Sequence, residues 1–595
     1  MSTTYLRARI AAGLLLAGSA PMAAAEVLFF SGPPGGSGNV VRIDRASGQP
    51  GQTVAGLDNV RLLRIDLTGR VELDQLRADR PRLRTDIPLA SRLDLPAGAG
   101  SLYRFQRPLS GGFEFGLFVV DAAGDARVVF QLPGVGAAGD LAPFSPFVAV
   151  APSGDRVVVL TDVAAGGDAI EVELATGAQI VRTAALPPQS FTDAGAHVGA
   201  GWAVVASDAG VWRFPLVQPG DAQALDFGTP APAHFSGEVA LSRNGQFAVT
   251  TAGLAPGQLH VFAFGPSGAA VQVTGAPDDL STAGYQPQHR HGPYLAISDD
   301  GSHVAWRLQT AVSTEAFLAR TGLPAPRHLT HDVNFIDTID EIGDFFFRPG
   351  TNRLVFAAGE TAQTGAPILE NLDYYSAELP ASGAEQLLNL TLSSGVASPP
   401  FVQPADLEPS LNVFDPASGL ILLHTTASGG SGHLIVADSA TPGFSVALPN
   451  VKDLQFLEAA GGAVWAAVRR SNGAKPVEVF RFDPAQAGAG APLLSVNTAH
   501  LCDRFAPGPG AWAAFVERTP NKERLWRFDP AAGALVKFSE RALFFGPTLT
   551  WTPNGELAFS VGQGGVLSLF AVWPTNAPVV RLPTPVAPGF LLPGA

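Results

Sequence analysis

The segment Leu295-Ala-Ile-Ser-Asp-Asp-Gly-Ser-His-Val-Ala-Trp306 constrains the fold of this chain most, because variants of it return at roughly 45-residue intervals. Val148-Ala-Val-Ala-Pro-Ser-Gly-Asp-Arg-Val-Val-Val-Leu160, Val239-Ala-Leu-Ser-Arg-Asn-Gly-Gln-Phe-Ala-Val249 and Leu549-Thr-Trp-Thr-Pro-Asn-Gly-Glu-Leu-Ala-Phe559 each place two short apolar runs around a Gly-containing turn. Looser copies run from Phe346 to Phe356 and from Val413 to Leu423, and others surround Gly199, Gly462 and Pro509-Gly510. About nine such hairpins fall between residues 147 and 585. Asn-Gly and Asp-Gly at that place supply the positive φ that a tight hairpin needs.

A second hairpin follows most of them, marked by Glu173-Leu-Ala-Thr-Gly177, Asp483-Pro-Ala-Gln-Ala-Gly488 and Asp529-Pro-Ala-Ala-Gly533. Two hairpins make four strands, the content of one propeller blade. The pattern predicts an all-β chain: a β-propeller of four-stranded blades, either as two packed rings or as one large ring of about seven to ten blades. The competing fold is a β-sandwich with evenly spaced turns, which seldom repeats two turn signatures in register. Residues 26–146 are less regular and are expected to help close the ring, with Val27-Leu-Phe-Phe30 as the clasp. Residues 147–585 hold the repeats, and residues 586–595 are expected to form a tail.

The turns Ala151-Pro-Ser-Gly154, Ser298-Asp-Asp-Gly301 and Thr552-Pro-Asn-Gly555 resemble the Ser-Pro-Asp-Gly turn of the WD40-like (PD40) repeats in the TolB family of periplasmic propellers. The resemblance covers most of residues 147–585 and implies architecture, not activity. Phe347-Arg-Pro-Gly350 and Phe414-Asp-Pro-Ala-Ser-Gly419 depart from the pattern, and nothing matches the separate N-terminal domain of that family.

Composition narrows the function. Sixty-six Gly and 50 Pro among 595 residues suit many short strands joined by turns. A net charge of −14 argues against nucleic acid and anionic membrane as partners. Cys502 is the single cysteine, so no internal disulfide is expected, and its thiol is expected to be buried. Residues 1–25 read as a signal peptide: Arg7 and Arg9, an apolar stretch from Ile10 to Ala20, then Met22-Ala-Ala-Ala25. No later apolar run is long enough to span a membrane, so the mature chain is expected to be periplasmic or secreted, and a monomer.

In a propeller the first strand of each blade lines the central channel, so residues at its start gather around one mouth. Those residues are His197; His234 and Glu238; His289 and His291; Glu341 and Asp344; Asp406 and Glu408; Asp453; and His500, Asp503 and Arg504. Of these, His234, Glu238, His289, His291, Asp344, Glu408, His500 and Asp503 are the candidate ligands for a divalent metal, Ca²⁺ or Zn²⁺/Mn²⁺; no other cofactor is expected. His289 and His291, two apart in extended chain, point to the same side, and with Arg290 and Tyr294 they form the candidate catalytic group. A polar loop satisfied by backbone and water is the alternative for the same residues. Gly35-Gly-Ser-Gly38 lacks the Lys of a phosphate loop, and Gly429-Gly-Ser-Gly-His433 lacks the setting of a hydrolase nucleophile. Two functions follow: a noncatalytic exported scaffold that binds an envelope protein or glycan, or a propeller enzyme, a polysaccharide lyase or hydrolase, with its site at the channel mouth.

Overall fold

The computed structural model describes residues between 27 and 591; the longest stretches outside it are 1–26, 63–91, 134–146, 161–168, 183–194, 275–294, 330–338, 361–369, 391–401 and 404–411. Every described element is a strand or a turn, and the strands form nine antiparallel sheets. Sheet I has nine strands, all but one of them from residues 27–133 and the last from the far end of the chain. Sheets II to V each have four strands in plain sequence order, beginning at Phe147, Gly195, His234 and Leu295. Sheet VI, from Ile339, has five; sheet VII, from Asn412, has seven; sheets VIII and IX, from Leu501 and Phe544, have four each.

The first-to-second-strand hairpin occurs once in each of sheets II to VI, VIII and IX and twice in sheet VII, at every place where the sequence repeat puts one. The chemistry of the turn is local. Ser298 O accepts the Gly301 N–H at 2.9 Å, Ser298 N–H donates to His303 O at 2.9 Å, and Gly301 takes φ 68°. Gly154, Gly245, Gly350 and Gly510 take the same left-handed conformation, so the glycine supplies the positive φ and the residue before it does not. A Cβ on Gly301 would also sit 2.4 Å from the Phe247 ring of sheet IV. Gly301→Ala is expected to lower stability by about 1–3 kcal/mol, read as an earlier denaturation midpoint; an unchanged midpoint would show that the turn tolerates a side chain.

Alternating side chains of neighbouring sheets fill the layers between them. Val249, Val261 and Val273 of sheet IV pack with Leu295, Val304 and Trp306 of sheet V, and Phe456, Trp465 and Val479 of sheet VII pack with Phe505, Phe515 and Phe528 of sheet VIII. Cys502 is buried in that second layer as a free thiol. The first strands of sheets II to VI lie side by side in chain order, as do the second half of sheet VII and the first strands of sheets VIII and IX. Arg348 of sheet VI reaches Asp438 of sheet VII at 3.7 Å.

The last described strand, Gly589–Leu591, pairs with Val27–Ser31 in the register Phe29 to Leu591, Phe30 to Phe590 and Ser31 to Gly589, and it also packs beside sheet IX. The apolar run Val27-Leu-Phe-Phe30 thus meets the far end of the chain, and its partner comes from residues 586–595, which the sequence suggested as a tail. Sheet VII is the other departure from simple repetition. Its strand Phe444–Ala460 serves as fourth strand of one unit and first strand of the next, with Asn450 at φ 59° between the two roles. Among the described residues no helix is long and apolar enough to cross a membrane.

Candidate functional site

Antiparallel order gives each sheet two unlike ends. The first hairpin turn marks the turn end; the chain's arrival from the preceding sheet and the second-to-third-strand hairpin mark the connection end.

At the turn end, consecutive turns hydrogen-bond to each other. The Trp202 indole N–H donates to Gly245 O at 2.7 Å, and Asn244 Nδ2 donates to Asp299 O at 2.7 Å. Asp299 Oδ2 then accepts the Gly350 N–H at 2.9 Å, and Asn352 Nδ2 donates to Asp300 Oδ2 at 3.1 Å. Further along the chain, Trp551 Nε1 donates to Ala506 O at 3.2 Å. The Asp and Asn residues of the repeat therefore tie sheet to sheet, and Trp202 and Trp551 do the same while packing between sheets.

Two imidazoles and a carboxylate have shifted protonation. Burial pushes His260 and His303 below the ordinary imidazole value, and for His303 this outweighs the Leu379 carbonyl and the Asp300 charge. Burial acts to raise the Asp300 carboxyl, but the Ser302 and Ser298 hydroxyls, the Ser302 N–H and the Asn352 amide hold it well below the usual carboxylate range. All three act in one direction: as pH falls through the unfolded value of each group, the unfolded chain takes up protons that the folded chain refuses. Stability is expected to fall as pH drops through about 6.5, and again below about 4. His303→Gln should flatten the first fall in a series of melting curves; an identical slope in the variant would remove His303 from the account.

At the connection end the structure places the sequence candidates unevenly. His289, Arg290, His291, Tyr294, Asp406 and Glu408 lie outside the described residues. His234 opens the first strand of sheet IV and is partly buried, and His500 stands just before the first strand of sheet VIII. Among the described residues no group of three or more His, Cys, Asp or Glu side chains is placed to hold a metal.

Five first strands share one backbone feature that the sequence did not reveal. Register shifts fall between Phe235 and Val239, Gly343 and Phe346, Leu454 and Phe456, Asp503 and Ala506, and Phe545 and Leu549. The skipped positions are Ser236 to Glu238, Asp344 and Phe345, Gln455, Arg504 and Phe505, and Gly546 to Thr548 with Pro547 at its middle. Bulges bend a strand and re-aim its side chains, and a proline there costs no ladder bond. Gln455 is the one whose partners are defined: its Oε1 accepts the Cys502 N–H at 2.5 Å, joining sheet VII to sheet VIII, while its buried Nε2 has no partner among the described residues.

His500 belongs to a tighter group. Its Nδ1–H donates to Glu517 Oε1 at 2.6 Å, which also accepts from Arg524 Nη1 at 2.8 Å, while Glu517 Oε2 accepts the Trp526 indole N–H at 2.8 Å. The Glu517 side chain is fully buried, and the His500 ring is mostly so. Three donors on one carboxylate satisfy a charge that burial alone would make costly. The group fixes the entry of the chain into sheet VIII. Sequence reasoning found His500 by position and missed Glu517, an acid inside the apolar run Ala513–Thr519.

Arg127 of sheet I and arginines of third strands elsewhere form a further set of links between sheets. Arg127 donates to Leu174 O from Nη2 at 2.9 Å, Arg213 donates to Pro266 O, and Arg527 Nη1 donates to Trp573 O at 2.9 Å. The Arg527 guanidinium also lies 4.3 Å from the Trp573 ring centre, and that of Arg481 lies 5.2 Å from Phe528. The recurring Arg-Phe in Arg213-Phe214, Arg481-Phe482 and Arg527-Phe528 is the signal that could have found them.

The chain matches no protein family and no curated protein. Among solved structures it is similar to a eukaryotic initiation factor, at 13% identity, over 71% of this chain and 96% of that one, with a TM-score of 0.34. It is also similar to TolB from Acinetobacter baumannii, at 12% identity over 53% and 69% with a TM-score of 0.24. For the hydrazine synthase of Kuenenia stuttgartiensis the identity is 11% over 56% and 99%, with a TM-score of 0.27. At these scores the likenesses carry no argument about what the chain does.

Proposed function

We propose that the chain closes into a single β-propeller ring and serves as a noncatalytic binding scaffold, exported to the cell envelope, that offers the connection end of its sheets to an envelope protein or glycan. The observation that carries this reading is the order of the inner strands. From sheet II to sheet VI, and again from the second half of sheet VII to sheet IX, each lies beside the first strand of the next sheet, and Gly589–Leu591 leads from sheet IX back to sheet I. Closure of that kind leaves no long sheet edge exposed and makes a rigid platform for variable loops.

The two ends differ in what they have left to offer. Turn-end polar groups are engaged with one another, although Leu323, 55% exposed, also stands there; Leu109, Leu254 and Leu501, each more than 40% exposed, stand at the connection end. His500 is held by Glu517 in a packed group, which supports a positioning role over an exchangeable ligand role. Export rests on the sequence of residues 1–25.

The test is site-specific photo-crosslinking in cells. A photoreactive residue at Leu254 or Leu501 is expected to give one discrete adduct, protein or glycan, and one at Ala511 of the turn end none. Equal labelling from both ends, or release of fragments from envelope polysaccharides by the purified protein, would overturn the reading.

A further inference from the structure

At the connection end, the layer between sheets VII and VIII finishes in a polar corner. Trp465, Ala467 and Arg469 alternate along Ala463–Arg470, and the first two pack toward sheet VIII, so Arg469 faces sheet VIII as well. Asp453 is its register partner on the neighbouring strand and shares that face. Gln455, two residues on, bonds Cys502 of sheet VIII, and the two first strands lie side by side and run from the connection end to the turn end. Two residues nearer the connection end on each strand, Asp453 therefore stands beside His500. Asp453, Arg469 and His500 thus meet within about 10 Å, the spacing of packed sheets.

These groups are not matched to one another. Other arginines at that end have carboxylates: Arg470 bonds Glu478 at 2.8 Å, Arg524 bonds Glu517 at 2.8 Å and Arg518 lies 3.5 Å from Glu523. Arg469 has no hydrogen bond, ion pair or ring contact among the described residues, not even with Asp453, and its Nε is buried without an acceptor. A half-buried cation without a counter-charge is costly unless a ligand supplies one. Asp453 likewise has no partner among the described residues. His500 offers a fixed acceptor: Glu517 takes its Nδ1–H and orients the ring, which stays 16% exposed, and Nε2 of the neutral ring is left to accept.

Resting on the reading that the connection end meets a glycan, we propose that Arg469, Asp453 and His500 bind an acidic sugar, a residue with one carboxylate beside ring hydroxyls. The planar guanidinium takes the carboxylate, and Asp453 and His500 Nε2 accept hydroxyl protons. Each group then gains the partner it lacks. The same set selects against other ligands. A neutral sugar leaves Arg469 without a counter-charge, and the second charge of a phosphate group is repelled by Asp453. A net charge of −14 also repels a densely charged polymer, so the acidic residue is expected among neutral ones.

Calorimetric titration of the purified full-length chain with glucuronate, galacturonate and mannuronate tests this, with glucose as the neutral counterpart and inorganic phosphate as the plain anion. At least one uronate is expected to bind about tenfold or more tighter than glucose or phosphate. Arg469→Gln should weaken that binding by about tenfold or more, and Arg469→Lys by less, because a point charge replaces the fork. Asp453→Asn and His500→Gln should each weaken it several-fold. Arg470→Gln, at a side chain already held by Glu478, should leave it unchanged. Melting curves establish that each variant folds, and the preference of the parent for a uronate over glucose and phosphate is read without any variant. No binding of any uronate, phosphate bound equally well, or a uronate affinity untouched by Arg469→Gln each overturns the proposal. The reading beneath it is judged separately: a discrete adduct from Leu254 or Leu501 upholds it whatever the uronates do, and equal labelling from both ends sinks it even where a uronate binds.

Discussion

Glu171→Ala is expected to be among the most destabilising single substitutions in the described chain, lowering stability by about 3–5 kcal/mol. The carboxylate is fully buried in the third strand of sheet II and accepts from Arg182 Nε at 2.9 Å and from Arg156 Nη1 at 2.9 Å. Arg182 is as deeply buried as its partner. Taking two such charges out of water costs several kcal/mol each, and their attraction offsets that cost only while both are present. Removing one keeps the penalty and discards the compensation. Arg156 loses less, because it also reaches Glu173 at 3.2 Å near solvent.

The comparison that separates charge from shape uses three variants in one denaturant series. Glu171→Gln keeps the volume and part of the hydrogen bonding, so its midpoint should fall between those of the parent and Glu171→Ala. The double variant Glu171→Leu/Arg182→Met removes the charges together and should recover most of the loss, as apolar replacement of buried pairs does. If Glu171→Ala moves the first unfolding transition by less than about 1 kcal/mol, the pair behaves as a surface ion pair and the argument from burial is wrong.

The elements that sequence made legible are those whose cause is local. A hairpin with glycine at the left-handed position needs a handful of adjacent residues, and each of the sequence repeats is an antiparallel strand pair in the structure, down to the degenerate repeat whose strands Asn412–Asp415 and Leu420–His424 pair. Four strands per repeat followed from the second turn in the same way. What escaped depends on partners far apart in sequence. Gly589-Phe-Leu591 is too short to show any alternation, so nothing local distinguishes it from a tail. The 17-residue strand Phe444–Ala460 reads as two strands, and it becomes one because the chain passes from the fourth strand of one unit straight into the first strand of the next.

The candidate site was legible to a similar depth. Position relative to the hairpin turn correctly put His234 and His500 at strand starts, because that follows from the repeat itself. The role of His500 was not legible, since it depends on Glu517, Arg524 and Trp526 from two other strands. Bulges are invisible for a related reason: a skipped residue alters pairing without altering composition. The arginine links were in plain view as a repeated dipeptide, but their meaning needs the neighbouring sheet.

Glu517→Ala should match Glu171→Ala in size, at about 3–5 kcal/mol, and should differ from it in where the damage appears. The carboxylate gathers the segment entering sheet VIII through His500 and the third strand through Arg524 and Trp526. Its loss leaves the partly buried Trp526 indole N–H without its acceptor and two cationic or polar groups without their anchor. His500→Ala is expected to cost only about 1 kcal/mol, because Glu517 keeps its two other donors. Since the group sits at the connection end, Glu517→Gln should retain most of the fold yet loosen the approach to Leu501. Crosslinking from Leu501 should then weaken, while crosslinking from Leu254, in sheet IV, holds. Equal weakening at both positions would mean that the network acts on the stability of the whole chain, and that its place beside the loops is incidental.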